Sequence, residues 1–380
     1  MKKIVIAPDS FKESFSALEA AVAIEKGFRT VFPEAVYEKI PMADGGEGTV
    51  QSIADALGAE QRTLTVTGPL GKPVHAVYAL AHTEKVAVIE MAAASGLQLV
   101  SPEARDPRLT TTYGTGELVA DALEQGATRI ILGIGGSATN DGGAGFAQAL
   151  GLKLLDDQGA NLHYGGSALK QLARIDTEDV HPKLKEATIE VACDVDNPLL
   201  GERGAAAVYG PQKGADAACI EELEAALTHF ADIIEKALGK DVRHTPGSGA
   251  AGGFGAGLLG FFDSRLASGV TLILESTRFA ERVAGADLVI TGEGRIDHQT
   301  PFGKTPIGVA KAAKQADAPV IAIAGQLGEG HEAIFENGID AAFSLVPGAI
   351  SLEDAFSNGL HYLEGTAASI ARTVSIGLRS

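Results

Sequence analysis

Residues 129–145 read RIILGIGGSATNDGGAG, a passage from an apolar run into a glycine-rich loop. The run Arg129–Ile134 predicts a buried β-strand. Six of the thirteen residues from 133 to 145 are glycine, and glycine permits positive φ and lets backbone N–H groups approach an anion closely. A flexible surface loop is the alternative, but such a loop rarely needs so many glycines directly after a buried strand. We therefore predict an anion-binding turn. Its candidate phosphate- or substrate-binding residues are Gly135, Gly136, Ser137, Thr139 and Asp141.

The composition limits the class of protein and its partners. A length of 380 residues fits two domains better than one, and 45% hydrophobic with 21% charged residues is ordinary for a soluble globular protein. Tryptophan is absent, so the core must be built from aliphatic residues, which suits parallel strands covered by helices. The formal net charge of -18 argues against nucleic-acid and anionic-membrane partners. An anionic substrate therefore needs local cations, amides or a metal ion.

Several features predict a cytoplasmic location. Residues Met1–Asp9 enter a strand directly and lack the apolar region and cleavage site of a signal peptide. No apolar run approaches the length of a membrane span. Cys193 and Cys219 are too few for a disulfide framework, and Cys193 fits a small core residue of a strand. No feature of the sequence indicates an oligomeric state.

Strands and helices alternate at both ends of the chain. Lys3–Ala7 predicts a buried strand, and the next helix begins at Ser16, where Glu19 completes a capping box. Thr305 and Pro306 predict another helix start, as cap and first-turn proline. Further strands are predicted near 37–42, 287–291, 319–324 and 341–346, and a helix near 49–57. In open α/β sheets, ligands bind beyond the carboxyl ends of the strands.

The middle of the chain has a different pattern, with three short strands joined by turns at 62–67, 73–80 and 86–91. Buried strands and helices follow. We predict an α/β fold with two domains: a discontinuous Rossmann-like parallel-sheet domain of residues 1–60 and 285–380, and an inserted flavodoxin-like α/β domain of residues 61–284. The active site is expected in the cleft between them.

Common nucleotide-binding and hydrolase signatures are missing. Gly303, Lys304 and Thr305 match the end of a Walker A loop, but His298 stands where its first glycine belongs. The glycines of the 133–145 loop match a dinucleotide fingerprint only in isolation, which is weak evidence. No Gly-x-Ser-x-Gly nucleophile elbow has convincing partners.

What remains is a set of charged residues after predicted strands. The carboxylates are Asp44, Glu47, Asp141, Asp194, Glu293 and Asp297, and the cations are Lys12, Arg295 and Lys304. Cations and glycine loops bind phosphates, one or two carboxylates hold Mg²⁺, and another accepts the proton of a hydroxyl, so this set indicates phosphoryl transfer. Each residue also has a structural alternative. Asp44 can cap a helix, Glu47 and Glu293 can accept from loop amides, and Asp194 can form a plain turn.

The chain resembles bacterial D-glycerate kinases of type 1 along its whole length. The motifs that carry the resemblance are Pro8–Lys12, Ala43–Thr49, the 133–145 loop, Cys193–Leu199, Pro246–Gly253 and Ile290–Asp297. The resemblance implies that ATP and D-glycerate react, with Mg²⁺, to give phosphoglycerate and ADP. It also implies two α/β domains with the active site between them.

Roles for the residues follow as hypotheses. Lys12, Asp194 and Asp297 are the candidate catalytic residues, and either aspartate could accept the hydroxyl proton. Asp44 and Glu47 are the candidate Mg²⁺ ligands. Ser10, Gly292, Glu293, Gly294 and Arg295 complete the candidate substrate- and phosphate-binding residues. The domains are expected to close and exclude water.

Three alternatives remain at the level of function. Phosphorylation at the 2-hydroxyl is favoured, but a small shift of the substrate would give 3-phosphoglycerate. A nicotinamide-dependent hydroxy-acid dehydrogenase would use a similar scaffold and glycine turn. A non-catalytic sensor of a small acid is the third possibility, although it gains little from so many carboxylates at strand ends.

Overall fold

The structure is a computed structural model that describes residues 1–42 and 49–377. The chain forms two compact units, unit 1 of residues 1–56 and 269–380 and unit 2 of residues 57–268. The sequence predicts the domain boundaries between residues 60 and 61 and between residues 284 and 285. Asp44 and Glu47 lie outside the described residues.

The described residues contain both β-strands and helices. The strands are β1 Lys3–Pro8, β2 Val36–Lys39, β3 Glu60–Thr67, β4 Pro73–Ala81, β5 Val86–Glu90, β6 Arg129–Gly133, β7 Lys153–Leu155, β8 Arg174–Asp176, β9 Thr188–Ala192, β10 Ser264–Ala267, β11 Leu288–Ile296, β12 Val320–Leu327 and β13 Ala341–Ser344. The α-helices are α1 Ala17–Arg29, α2 Thr49–Ala56, α3 Ala92–Ser95, α4 Tyr113–Glu124, α5 Ala144–Ala149, α6 Ala205–Tyr209, α7 Ala217–Leu238, α8 Ala250–Phe261, α9 Gly269–Ser276, α10 Phe279–Val283, α11 Thr305–Lys314, α12 Leu352–Ser357 and α13 Gly359–Gly377. The 3₁₀ helices are Leu97–Leu99, Pro102–Ala104, Gly166–Gln171, Pro182–Glu186, Pro211–Lys213, Thr300–Phe302 and His331–Asn337.

Unit 1 contains a five-stranded sheet in the order β13-β12-β11-β1-β2, and every neighbouring pair is parallel. Its core joins buried isoleucines of β1, β11 and β12 to α1 and α13. The predicted start of α1 is confirmed, because Ser16 and Glu19 form the reciprocal bonds of a capping box. All carboxyl ends of these strands lie at one edge of the sheet.

Unit 2 contains a six-stranded sheet in the order β10-β9-β6-β5-β4-β3. β10, β9, β6 and β5 are parallel, whereas β4 is antiparallel to both β5 and β3. The three strands predicted between residues 62 and 91 are therefore present, and the third pairs with the parallel strands. The α/β class with parallel sheets is confirmed.

Two local expectations were wrong. β11 continues to Ile296 instead of ending near 291, because Arg295 and Ile296 pair in register with Gln326 and Leu327 of β12. The N-cap position of α11 belongs to Lys304, since Thr305 is already helical and its hydroxyl donates to Asp9 Oδ2 at 2.9 Å. Within the described ranges, no helix is both long and apolar enough to cross a membrane.

Candidate active site

A cavity of about 1030 Å³ opens at the carboxyl ends of β1, β11, β12 and β13 in unit 1. It is lined by five of the residues predicted from the sequence: Ser10, Lys12, Glu293, Gly294 and Arg295. Asp9 and Lys304 also line it. The parallel sheet explains this convergence, because residues that follow neighbouring parallel strands emerge at the same edge.

Asp9 links three elements beside the cavity, a role that sequence reasoning did not assign. Its side chain is 3% exposed, and its Oδ1 accepts from the Ser10 backbone N–H at 2.6 Å. Its Oδ2 accepts from the Thr305 hydroxyl at 2.9 Å, and its own N–H donates to the Gly292 carbonyl at 2.7 Å. Asp9 thus ties the end of β1 to β11 and to the start of α11. In the sequence, only the position of Asp9 within the motif Pro8–Lys12 pointed to this residue.

Glu293 and Asp297 are held by hydrogen bonds around Thr300. The Thr300 hydroxyl donates to Glu293 Oε1 at 2.9 Å and accepts from the Asp297 N–H at 3.2 Å. Asp297 Oδ1 accepts from the Gln299 N–H at 2.9 Å, and Oδ2 lies 3.1 Å from Arg295 Nε. The Gln299 N–H, together with the charges of Lys304 and Arg295, holds the pKa of Asp297 below its usual range. Asp297 is therefore ionised and helps to place the Arg295 side chain.

The glycine-rich loop of unit 2 surrounds a carboxylate of its own chain. Asp141 is 1% exposed, and it accepts from the N–H and the hydroxyl of Thr112, both at 2.9 Å. It also accepts from the N–H groups of Gly143 and Gly145 at 3.1 and 3.3 Å. Burial raises the pKa of Asp141, and the four donors oppose that shift. Asp141 thereby joins the start of α4 to the start of α5 and fixes the shape of the loop.

Lys213 is a buried cation beneath the same loop, and no sequence pattern pointed to it. It is 1% exposed, and its Nζ donates to the Thr139 carbonyl at 2.6 Å. Burial lowers the pKa of Lys213 to about 7, while the charge of Asp141 acts in the opposite direction. Thr139 is fully buried, so its place in the loop is set by packing and by Lys213.

The exposed part of the loop is Gly135–Gly136, followed by Ser137 at 6% exposure. Gly136 has a φ of +69°, and its carbonyl accepts from the Leu97 N–H at 2.8 Å. Asp194 is exposed and follows β9. β6 and β9 are parallel neighbours, with Gly133 opposite Ala192, so the loop and Asp194 share one edge of the unit 2 sheet.

The predicted site residues therefore fall into two sets, one in each unit. Of the predicted site residues that the structure describes, Ser10, Lys12, Gly292, Glu293, Gly294, Arg295 and Asp297 belong to unit 1, and the glycine-rich loop with Asp194 belongs to unit 2. In residues 1–42 and 49–377, no three His, Cys, Asp or Glu side chains are grouped to hold a metal ion.

The chain matches the model of the glycerate kinase family over residues 4–375. A glycerate kinase of Halalkalibacterium halodurans is 63% identical over 371 residues, which cover 98% of each protein. The glycerate 2-kinase of Escherichia coli K12 is 52% identical over 378 residues, or 100% of this chain and 99% of the relative. A crystal structure of a candidate glycerate kinase 2 from Salmonella typhimurium LT2 is similar with a TM-score of 0.90 and 50% identity, and the match covers 100% of both chains. The similarity spans both compact units.

Proposed function

The chain belongs to the glycerate kinase family, and from this membership we propose that it transfers the γ-phosphoryl group of ATP to the 2-hydroxyl of D-glycerate. The products are 2-phosphoglycerate and ADP. Membership of a kinase family argues against the two alternative functions, a nicotinamide-dependent dehydrogenase and a non-catalytic sensor. The observation that carries the proposal is the cavity of unit 1, where Lys12, Arg295 and Lys304 gather in a chain of net charge -18.

In phosphoryl transfer, these cations would stabilise the negative charge of the phosphates. The reaction needs little covalent chemistry from the protein, and catalysis rests on positioning and on stabilising the charge of the phosphoryl oxygens. Lys12 and Arg295 supply positive charge to the phosphates, and Ser10 and Gly294 line the same cavity. Asp297 contributes by holding Arg295 at 3.1 Å.

We assign the general base to Asp194 rather than to Asp297. Asp194 is exposed at the end of β9, beside the strand that leads into the glycine-rich loop. Asp297 has a lowered pKa, which makes it a weak proton acceptor. The Gly135–Ser137 segment, in which the two glycines are exposed and Ser137 is buried, then binds the carboxylate of D-glycerate through its amides.

Mg²⁺ is proposed as the metal, with Asp44 and Glu47 as its protein ligands. Among the described carboxylates at the cavity, Asp9 and Glu293 accept hydrogen bonds from protein groups and do not form a metal-binding set. If bound there, Mg²⁺ would be held by Asp44 and Glu47 and would supply positive charge against the phosphates of the nucleotide, a role for which one or two protein carboxylates commonly suffice. The test is removal of divalent cations with a chelator, which should abolish turnover, and readdition of Mg²⁺, which should restore it.

Phosphorus NMR of the product made from ATP and D-glycerate tests activity and regiochemistry together. A 2-phosphoglycerate resonance that appears with ADP is the expected result. A 3-phosphoglycerate resonance would overturn the assigned hydroxyl and leave the kinase intact. Absence of any phosphoglycerate, with ATP unchanged, would overturn the proposed function.

A further inference from the structure

The cavity of unit 1 is much larger than D-glycerate requires. At about 1030 Å³ it slightly exceeds the range of roughly 300–1,000 Å³ for ligand pockets. A three-carbon acid would fill only a small part of it, whereas a nucleoside triphosphate is a much larger ligand.

The lining of the cavity has two chemically different parts. Lys12, Arg295 and Lys304 supply cations at the carboxyl ends of β1 and β11 and at the start of α11. Ile350 and Leu352 belong to an apolar part formed by the segment after β13 and the start of α12. Leu352 is 70% exposed, so this apolar surface is not covered by the described protein.

D-glycerate carries only hydroxyl groups and a carboxylate on three carbons, so it has little apolar surface to bury against an apolar wall. A purine base does, because its faces are apolar and gain free energy when they leave water. The opposite end of the same molecule is a polyanion, which matches the three cations.

From this pairing we propose that the unit 1 cavity is the nucleotide site, with the base against Ile350 and Leu352 and the phosphates at Lys12, Arg295 and Lys304. The inference rests on the proposed kinase function and adds which part of the chain binds the donor. The acceptor then belongs to the Gly135–Ser137 segment of unit 2, whose two glycines are exposed.

The test uses apolar residues that take no part in the chemistry. Ile350→Ser and Leu352→Ser should each raise the dissociation constant for ATP about fivefold or more in calorimetric titration, because each removes apolar contact with the base. In coupled assays they should raise KM for ATP by a similar factor and leave KM for D-glycerate unchanged. Ile376→Ser is the matched control, since Ile376 is 69% exposed on α13 and does not line the cavity.

The outcomes separate this inference from the proposed function. If both cavity variants bind ATP like the wild type, or if only KM for D-glycerate rises, the nucleotide assignment is wrong, and the proposed kinase function is decided separately by the phosphorus NMR result. If the wild type binds ATP in the titration, and the variants weaken it, but no phosphoglycerate forms, the nucleotide site stands and the proposed reaction fails.

Discussion

At the scale of single residues, the proposed general base Asp194 can be tested by one substitution. Asp194→Asn should lower kcat by about 10²–10⁴-fold, the usual contribution of a general base, without changing the unfolding temperature. The fold should be unaffected because Asp194 is exposed. Asp196→Asn is the matched control, since it removes only a 2.6 Å ion pair with Arg203 in which both side chains are largely exposed. Equal turnover of the Asp194 and Asp196 variants would contradict the assignment.

Lys213 gives a pH-dependent prediction at the same scale. Its pKa is about 7 in the folded protein against 10.5 for an ordinary lysine, so the unfolded chain binds more protons between these values. Stability therefore rises with pH across this window, with a slope of up to about 1.4 kcal/mol per pH unit, and the full cost of burying the charge is present below pH 7. Lys213→Met should lack this slope in denaturant unfolding between pH 7 and 10.

The control for Lys213 is Lys236→Met, which removes an exposed lysine of α7 and should keep the wild-type slope. Lys213→Met also removes the donor to the Thr139 carbonyl, a loss that costs stability at every pH. The slope of stability against pH is therefore compared, and not the stability itself. A Lys213→Met protein with the wild-type slope would show that another group is responsible.

At the scale of elements, the start of α8 depends on contact with the glycine-rich loop. Residues 251–253 have positive φ, and a Cβ on Gly252 would lie 2.0 Å from the Thr139 carbonyl oxygen. Gly252→Ala should therefore destabilise the protein by about 2–4 kcal/mol, from overpacking and from the left-handed conformation. Gly239→Ala has a similar φ of +69° with no atom within 4 Å of the added Cβ, and it should cost only about 1 kcal/mol. If the two variants lose the same free energy of unfolding in urea, the contact with Thr139 is not the cause of the destabilisation.

An element could be predicted from the sequence when the interactions that fix its ends join residues close together in the chain. The capping box of Ser16 and Glu19 involves residues three positions apart, so the sequence alone was sufficient. The end of β11 was placed too early because its last residues pair with β12, about thirty residues further along the chain. Lys213 could not be found, since only the tertiary fold reveals that its ammonium group is buried under residue 139.

At the scale of the whole molecule, the two units differ in what their sheet edges offer to a ligand. Unit 1 presents a large cavity with cations and an apolar wall, whereas unit 2 presents exposed glycine amides and Asp194. The proposed substrates ATP and D-glycerate are both anions and the chain carries a net charge of -18, so a site for either one needs local cations or amides. This division makes the binding of each substrate separable in an experiment.

Hydrogen–deuterium exchange with one substrate at a time should show that division directly. ATP alone should slow exchange in the segments that line the cavity, residues 9–15 and 344–356, and leave residues 133–145 unchanged. At about 100 times its dissociation constant, a ligand stabilises the state it binds by about 2.7 kcal/mol, enough to be seen in local opening. D-glycerate alone should slow exchange at Gly135–Ser137 and not at 344–356. The reverse pattern, with ATP protecting residues 133–145, would exchange the assignments of the two sites.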